Sequence, residues 1–266
     1  MTVKGWSVIC IGLTLTACTP KPPAYESREA SPPSSISKPV EPKGVTTDSS
    51  PDAASFIDEF DRADTATGLG DGWDMRGAPT DDDSPLPQAT DGFIKDGHFT
   101  YAGTSDVYAI RQFRAAVSTV GAEGQFRRSK AAGGVTAFSM GTAGDGNLET
   151  DVVMFSASRT FWDLKVKLAK GGLETIATGQ FAPPLGLDRN YRFTLQRAGN
   201  TVRVGGPGVN ITKPLASQVT LGSYGFWREY PSRTPAGEFF DYDKVWSVED
   251  GQPTVPVEAP APNGER

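Results

Sequence analysis

Apolar and polar residues alternate along most of this chain with a period of two. Thr160 to Leu168 is the clearest case, with Trp162, Leu164, Val166 and Leu168 on one side and Asp163, Lys165 and Lys167 on the other. That period marks a strand with one buried face. Tyr191, Phe193 and Leu195 alternate with Arg192, Thr194 and Gln196, and Phe240, Tyr242, Trp246 and Val248 share a face against Asp241 and Asp243. The same reading predicts strands over Phe56 to Phe60, Trp73 to Arg76, Gly92 to Lys95, Phe99 to Ala102, Val107 to Phe113, Val117 to Arg127, Val135 to Met140, Asp151 to Ala157, Leu173 to Gln180, Thr201 to Val204 and Val219 to Phe226. The runs are short, are broken by Gly, Pro, Asn and Asp, and carry no helical period. The expected class is therefore all-β, a sandwich or barrel. The chain has no fixed-period repeat, which argues against a propeller or β-helix.

The pattern fades at both ends. Thr19 to about Asp52 is Pro, Ser, Lys and Glu with almost no apolar residues, as in Pro32-Pro33-Ser34-Ser35. Such a segment cannot bury enough surface to offset its ordering entropy. It reads as a disordered tether, and its proline content, at about 3.1 Å per residue, gives a reach of roughly 100 Å. Gly251 to Arg266 repeats that composition and reads as a disordered tail. One domain is expected over residues 55–250.

The start of the chain differs again. Lys4 precedes an apolar run from Trp6 to Leu15, too brief to span a bilayer, that closes on Leu15-Thr16-Ala17-Cys18. Charge, short apolar stretch and small residues make a secretory signal. Leu-Thr-Ala-Cys resembles the bacterial lipobox, which implies cleavage before Cys18, diacylglycerol on its sulfur and acylation of the new N-terminus. On that reading residues 1–17 are the signal and residues 18–54 a lipid-anchored tether, and the protein works outside the cytoplasm on a bacterial membrane. Several acyl chains, at about 0.8 kcal/mol per buried methylene, suffice for stable anchoring where one is marginal.

Composition then removes several chemistries. The cysteines are Cys10 and Cys18, so the processed chain has no disulfide and no cysteine zinc site, and the sulfur of its single cysteine would be occupied by lipid. A domain of about two hundred residues can rely on its hydrophobic core alone. The formal charge is -6, and loss of Lys4 makes it one unit more negative. Short basic groups such as Arg127-Arg128 do not form the clustered cation patch that nucleic acid needs. The one histidine, His98, follows Asp96-Gly97, a dipeptide that favours a tight hairpin turn. A Ser-His-Asp hydrolase has no Gly-x-Ser-x-Gly elbow here, and a three-histidine zinc site is ruled out by number. His98 therefore reads as structural.

The domain opens Phe56-Ile57-Asp58-Glu59-Phe60-Asp61-Arg62-Ala63-Asp64, then Gly68-Leu69-Gly70 and Trp73. It closes with Gly222-Ser223-Tyr224-Gly225-Phe226 and Phe240-Asp241-Tyr242-Asp243-Lys244-Val245. Both ends resemble concanavalin A-like lectin/glucanase domains. The resemblance implies a two-sheet antiparallel jelly roll, and it leaves activity open because that fold hosts lectins, hydrolases and structural modules.

Laminarinase-type glycosidases of that fold carry Glu-x-Asp-x-x-Glu on one strand. The nearest match is Glu149-Thr150-Asp151-Val152-Val153-Met154, in which Met154 stands where the proton donor would be. Glycoside hydrolysis needs two placed carboxyl groups, so an enzyme would have to pair Glu149 or Asp151 with a partner such as Asp106 or Glu123. Otherwise the motif is an acidic turn before a buried strand. Asp81, Asp82 and Asp83, with Asp145, Asn147 and Glu149, supply the oxygens a calcium ion would use, although neither stretch is an EF-hand loop. Calcium is the one cofactor kept in view.

Sugar recognition pairs an aromatic face with planar polar groups. Phe226 to Arg233 breaks strand alternation and combines Trp227, Arg228, Tyr230 and Arg233. These four are the expected ligand contacts on a loop, the alternative being that Trp227 and Tyr230 cap the core edge. Trp73, Trp162 and Trp246 are expected in the core. The sequence thus leads to a tethered lipoprotein whose sandwich binds a cell-envelope glycan or surface partner without catalysis. Two rivals stand beside it: a wall-polysaccharide hydrolase with an atypical carboxylate pair, and a protein-interaction or surface-shielding module, including a phage-related one.

Overall fold

The computed structural model describes residues 53–77, 89–101, 106–128, 133–143, 150–169, 172–215, 219–220, 222–234, 237–253 and 255–257. Among these the chain is all strand: β1 (Ala53–Ala54), β2 (Phe56–Asp58), β3 (Asp74–Gly77), β4 (Gly92–Lys95), β5 (His98–Tyr101), β6 (Val107–Gln112), β7 (Val117–Arg128), β8 (Gly133–Thr142), β9 (Asp151–Ala157), β10 (Phe161–Lys167), β11 (Leu173–Gln180), β12 (Asn190–Ala198), β13 (Thr201–Gly206), β14 (Val209–Pro214), β15 (Tyr224–Thr234), β16 (Glu238–Glu249) and β17 (Val255–Pro256). No helix among the described residues is long and apolar enough to cross a membrane.

Two antiparallel sheets form the sandwich. One runs β11-β10-β9-β8-β15-β6-β3, the other β14-β13-β12-β7-β16-β5-β4 with β2 on β16. The alternation of β10 appears in the burial of Trp162, Leu164 and Val166 beneath partly buried neighbours. Between the sheets lie the inward residues of both, with Phe138, Val153, Phe155, Leu164 and Trp227 from the first against Phe126, Phe193, Phe240, Tyr242 and Val245 from the second. Aromatic rings set the contacts: Phe99 stacks on Tyr242 at 5.1 Å and Phe126 meets Phe240 edge-on at 4.9 Å. Such pairs add to area burial in a core without staples.

The opening motif is a clamp. Asp58 Oδ1 accepts hydrogen bonds from the Phe60 amide (2.9 Å) and Arg62 Nη1 (2.6 Å), while Oδ2 accepts from Arg62 Nη2 (2.9 Å) and Trp73 Nε1 (2.8 Å). Burial works against the charged carboxylate, but Arg62, the amide and the indole outweigh it and hold its pKa below the usual value. Trp73, half-buried just before β3, packs edge-on against Trp227 at 5.4 Å. The turn after β4 is also as expected: Asp96 and Gly97 both have positive φ, 52° and 76°, which the two-residue hairpin demands.

Four elements depart from the sequence reading; in one, a bulge between Tyr242 and Lys244 sends Val245 to the inner face with Phe240 and Tyr242 and puts Trp246 on the opposite face. The strand expected over Val219 to Phe226 lies further on, as β15, because Asp151 Oδ2 accepts the Thr220 amide at 3.0 Å and Gly222 and Ser223 bond loop backbone at Val117 and Phe113. β14, with only Val209 fully buried, has too few apolar residues to show a period. The domain also extends past 55–250 at both ends, since β1 pairs with β17 (Ala53 with Pro256, Ala54 with Val255) and Val257 packs with Ala54 on Trp246. Two residues per strand are too few to register as a pattern.

Candidate functional site

The expected loop from Phe226 to Arg233 is the central strand β15, bonded to β8 on one side and β6 on the other. Its alternation sends Trp227 and Glu229 into the sandwich and Phe226, Arg228 and Tyr230 to the outer face. Trp227 is therefore corrected from ligand contact to core. It is 0% exposed, and its Nε1 donates to the Gly121 carbonyl across the sandwich at 3.0 Å. The Arg233 side chain lies outside the described residues.

Arg228 and Tyr230 stay together on the outer face and are joined by Tyr108 of β6, whose neighbour Ala109 faces the core. The Arg228 guanidinium carbon lies 3.7 Å from the Tyr108 ring centre and 3.6 Å from that of Tyr230. Arg228 Nη2 is 3.5 Å from Asp106 Oδ2, and the Tyr230 hydroxyl donates to Met154 Sδ at 3.5 Å. The ring faces fix the guanidinium plane, a cation–π arrangement that also pays little entropy for its order.

Strand register maps the rest of this face. In one row across the sheet come Tyr108, Arg228, Ala137, Ser156 and Asp163; in the next, Ile110, Phe226, Ser139, Met154 and Lys165. Between Tyr108, Arg228 and Tyr230 on one flank and Phe161, Asp163 and Lys165 on the other lie Ala137, Ser139 and Ser156, with Val135 and Met154 packed against Tyr230 over part of the same strip. Lys165 Nζ pairs with Asp163 Oδ2 at 2.6 Å. Lys165 and Arg228 each have an acid beside them, and Tyr108 and Tyr230 are only 5% and 6% exposed. Ala137, Ser139 and Ser156 are all buried, unlike a face that simply alternates into solvent.

The carboxylate alternative fares differently. Asp151 begins β9, opposite Thr142, while Asp106 lies at the other end of the sheet, one residue before Val107, which shares a row with Glu229, Thr136 and Ala157. Glu123 is on β7, on the outer face of the opposite sheet, among Lys244 and Arg192. Burial raises its pKa against the pull of those two cations. Asp151 therefore pairs with neither Asp106 nor Glu123, because the fold puts them at different ends and on different layers. Glu149, Asp81, Asp82, Asp83, Asp145 and Asn147 lie outside the described residues, as does Cys18. Among the described residues no group of three or more His, Cys, Asp or Glu side chains is placed to hold a metal ion.

The second sheet has its own outer cluster. His98 Nδ1 meets Asp243 Oδ1 at 2.5 Å, and Arg127 Nε meets Asp241 Oδ2 at 2.9 Å. The contact with Asp243 outweighs burial and raises the His98 pKa. This ion pair fastens the β4–β5 hairpin to β16, in keeping with a structural histidine.

Sequence reasoning missed Tyr108 and the small floor of β8 and β9. Val107-Tyr108-Ala109-Ile110 is apolar on both faces, so the strand looked like plain core; a two-sided apolar strand in a sandwich was the available signal.

Comparison with known proteins gives structure and little sequence. No protein-family model matches the chain, and no curated protein matches it. Among solved structures, the catalytic domain of an endo-1,3-beta-glucanase (laminarinase) from Thermotoga petrophila RKU-1 superposes with a TM-score of 0.51 at 12% identity, covering 75% of this chain and 98% of that one. A LamA variant from Z. galactanivorans in complex with laminaritriose and laminaritetraose gives 0.52 at 10% identity, over 73% and 98%. SCLam, a non-specific endo-beta-1,3(4)-glucanase from family GH16, gives 0.51 at 11% identity, over 74% and 91%. The chain thus has the all-β jelly-roll sandwich of concanavalin A-like glucanases.

Proposed function

We propose that this protein is a lipid-anchored, extracytoplasmic glycan-binding module that holds a cell-envelope polysaccharide in the trough between Tyr108, Arg228 and Tyr230 and Phe161, Asp163 and Lys165, without cleaving it. The observation that carries the reading is the Tyr108–Arg228–Tyr230 stack, packed over Val135, Ala137 and Met154 with Ser139 and Ser156 in the adjoining positions of the sheet. Aromatic and planar donor groups around small residues are what a pyranose requires on its apolar and hydroxyl sides. The glucanases that share the fold make a glycan the first ligand class to test.

The carboxylates of the same face favour holding over cutting. The outward residues of β9 are Val152, Met154 and Ser156; Asp74 pairs with Arg76 on the edge strand β3, and the acids that flank the stack are Asp106 and Asp163. Their strands are separated by β15, β8 and β9, which at about 4.8 Å per strand puts them about 19 Å apart. Retaining and inverting glycosidases need about 5–9.5 Å. The anchor at Cys18 and the Pro/Ser-rich tether would display the domain away from the bilayer, with calcium, if bound, held by the acidic stretches near Asp81 and Asp145.

The experiment is a glycan array on the processed full chain, with and without calcium, repeated with Arg228→Met, alongside mass spectrometry of the mature N-terminus. Saturable glycan binding lost in Arg228→Met and a diacylglyceryl-modified Cys18 support the proposal. Binding only to a protein, or an unlipidated terminus, sinks the corresponding half.

A further inference from the structure

Glu229 is adjacent in sequence to Arg228 and points the opposite way, into the core. It is 1% exposed. Its neighbours are the Thr136 hydroxyl of β8 and, from the facing sheet, the Phe240 amide and the Tyr242 hydroxyl of β16. Their contacts favour the anion but are outweighed by the cost of burial, and neither carboxyl oxygen has a fully formed hydrogen bond. The niche is nonetheless shaped for the group: a Cβ on Gly134 would come within 2.8 Å of Glu229 Oε2, so glycine is what leaves the room.

The charges around it offer an anion no help. On β16 the carboxylate of Asp241 repels an anion here, and Tyr242 is itself a neutral phenol whose pKa burial raises well above 10.0. Arg127 is engaged by Asp241 on the outer face of one sheet, and Arg228 lies between its tyrosines on the outer face of the other. A buried carboxylate lacking a cation is costly, and the group responds by staying neutral. Desolvation pushes the Glu229 pKa up to about 8.

The same network reaches the backbone of the candidate site. The Tyr242 hydroxyl contacts Thr136 Oγ1 closely and donates to the Arg228 carbonyl at 3.2 Å. Displacing Tyr242 therefore removes a contact to the Arg228 carbonyl, in a strand that β6 and β8 also hold.

We propose that Glu229 is a proton-gated lock between the two sheets, closed while its carboxyl is neutral and opened at the β8–β15 end when the proton is lost. An opened state exposes Glu229 to water, where it ionises near pH 4.5. Between that value and about 8 the opened form has lost a proton that the closed form keeps. The opening equilibrium should then rise about tenfold per pH unit.

Hydrogen–deuterium exchange on the full chain at pH 6 and pH 8, corrected for the intrinsic pH dependence of exchange, tests this. The expected result is about fiftyfold faster exchange at pH 8 in β8 and β15, since the closed form is itself half ionised there, absent in Glu229→Gln. Equal exchange at both pH values, or an equal rise in Glu229→Gln, overturns the lock. Should that variant fail to fold, the carbon-13 titration of the Glu229 carboxyl in the unmodified chain decides instead: a midpoint far above the ordinary carboxylate range supports the proposal, and one within that range refutes it.

Discussion

Trp227 Nε1 donates to the carbonyl of Gly121 across the interior of the sandwich, 3.0 Å away, while the next residue, Arg228, lies between two tyrosines on the outside. One strand thus ties the sheets together on one face and builds the candidate site on the other. Trp227→Ala removes a fully buried ring and strands the Gly121 carbonyl. It should cost about 3–5 kcal/mol, read as a shift in the denaturant midpoint. Loss of ligand binding in this variant would report unfolding.

Arg228→Met separates the two roles. The thioether stem keeps contact with both rings, and the charge is removed together with the planar donors. Thermal stability should change little, and glycan affinity should fall at least tenfold, about 1.4 kcal/mol, measured by calorimetric titration. An unchanged affinity would move the site elsewhere.

Asp58→Ala breaks the clamp on Phe60, Arg62 and Trp73. The expected loss is about 1–3 kcal/mol, since buried donors lose their acceptor. The pH dependence has a definite sign. The folded-state pKa lies below 3.8, so the stabilisation is fully present above that value and is lost as pH falls through the folded pKa. Acid denaturation of the wild type should accordingly be steeper below pH 3.8 than that of Asp58→Asn.

His98 works in the other direction. Its pKa is raised above 6.5 by Asp243, so the contribution of the pair is fully present below 6.5 and disappears as pH rises through the folded value. Glu229 adds a fall that begins lower, from 4.5. The difference in melting temperature between wild type and His98→Asn isolates the histidine: it should be constant below pH 6.5 and shrink above it. A difference independent of pH would mean the pair is not charged.

The fold was legible where burial is one-sided. β10 and β12 show their period because one face meets the core and the other meets polar surroundings, and Asp96-Gly97 announces its turn through backbone sterics. The site was less legible. Arg228 and Tyr230 were found by residue type, but their loop assignment failed because β15 is buried on both faces, so Phe226, Trp227 and Tyr230 read as broken alternation. Tyr108 was hidden for the same reason. The Asp151 alternatives could not be judged from sequence at all, since only strand order shows that Glu123 belongs to the other sheet.

The central claim is that the trough beside Arg228 holds a glycan and leaves it intact. Its most direct test follows bound and released sugar together, incubating the processed chain with cell-envelope polysaccharide. The account predicts saturable retention of intact polymer, abolished by Arg228→Met, and no new reducing ends over hours. Release of reducing ends that scales with protein, whatever happens to binding, would contradict it.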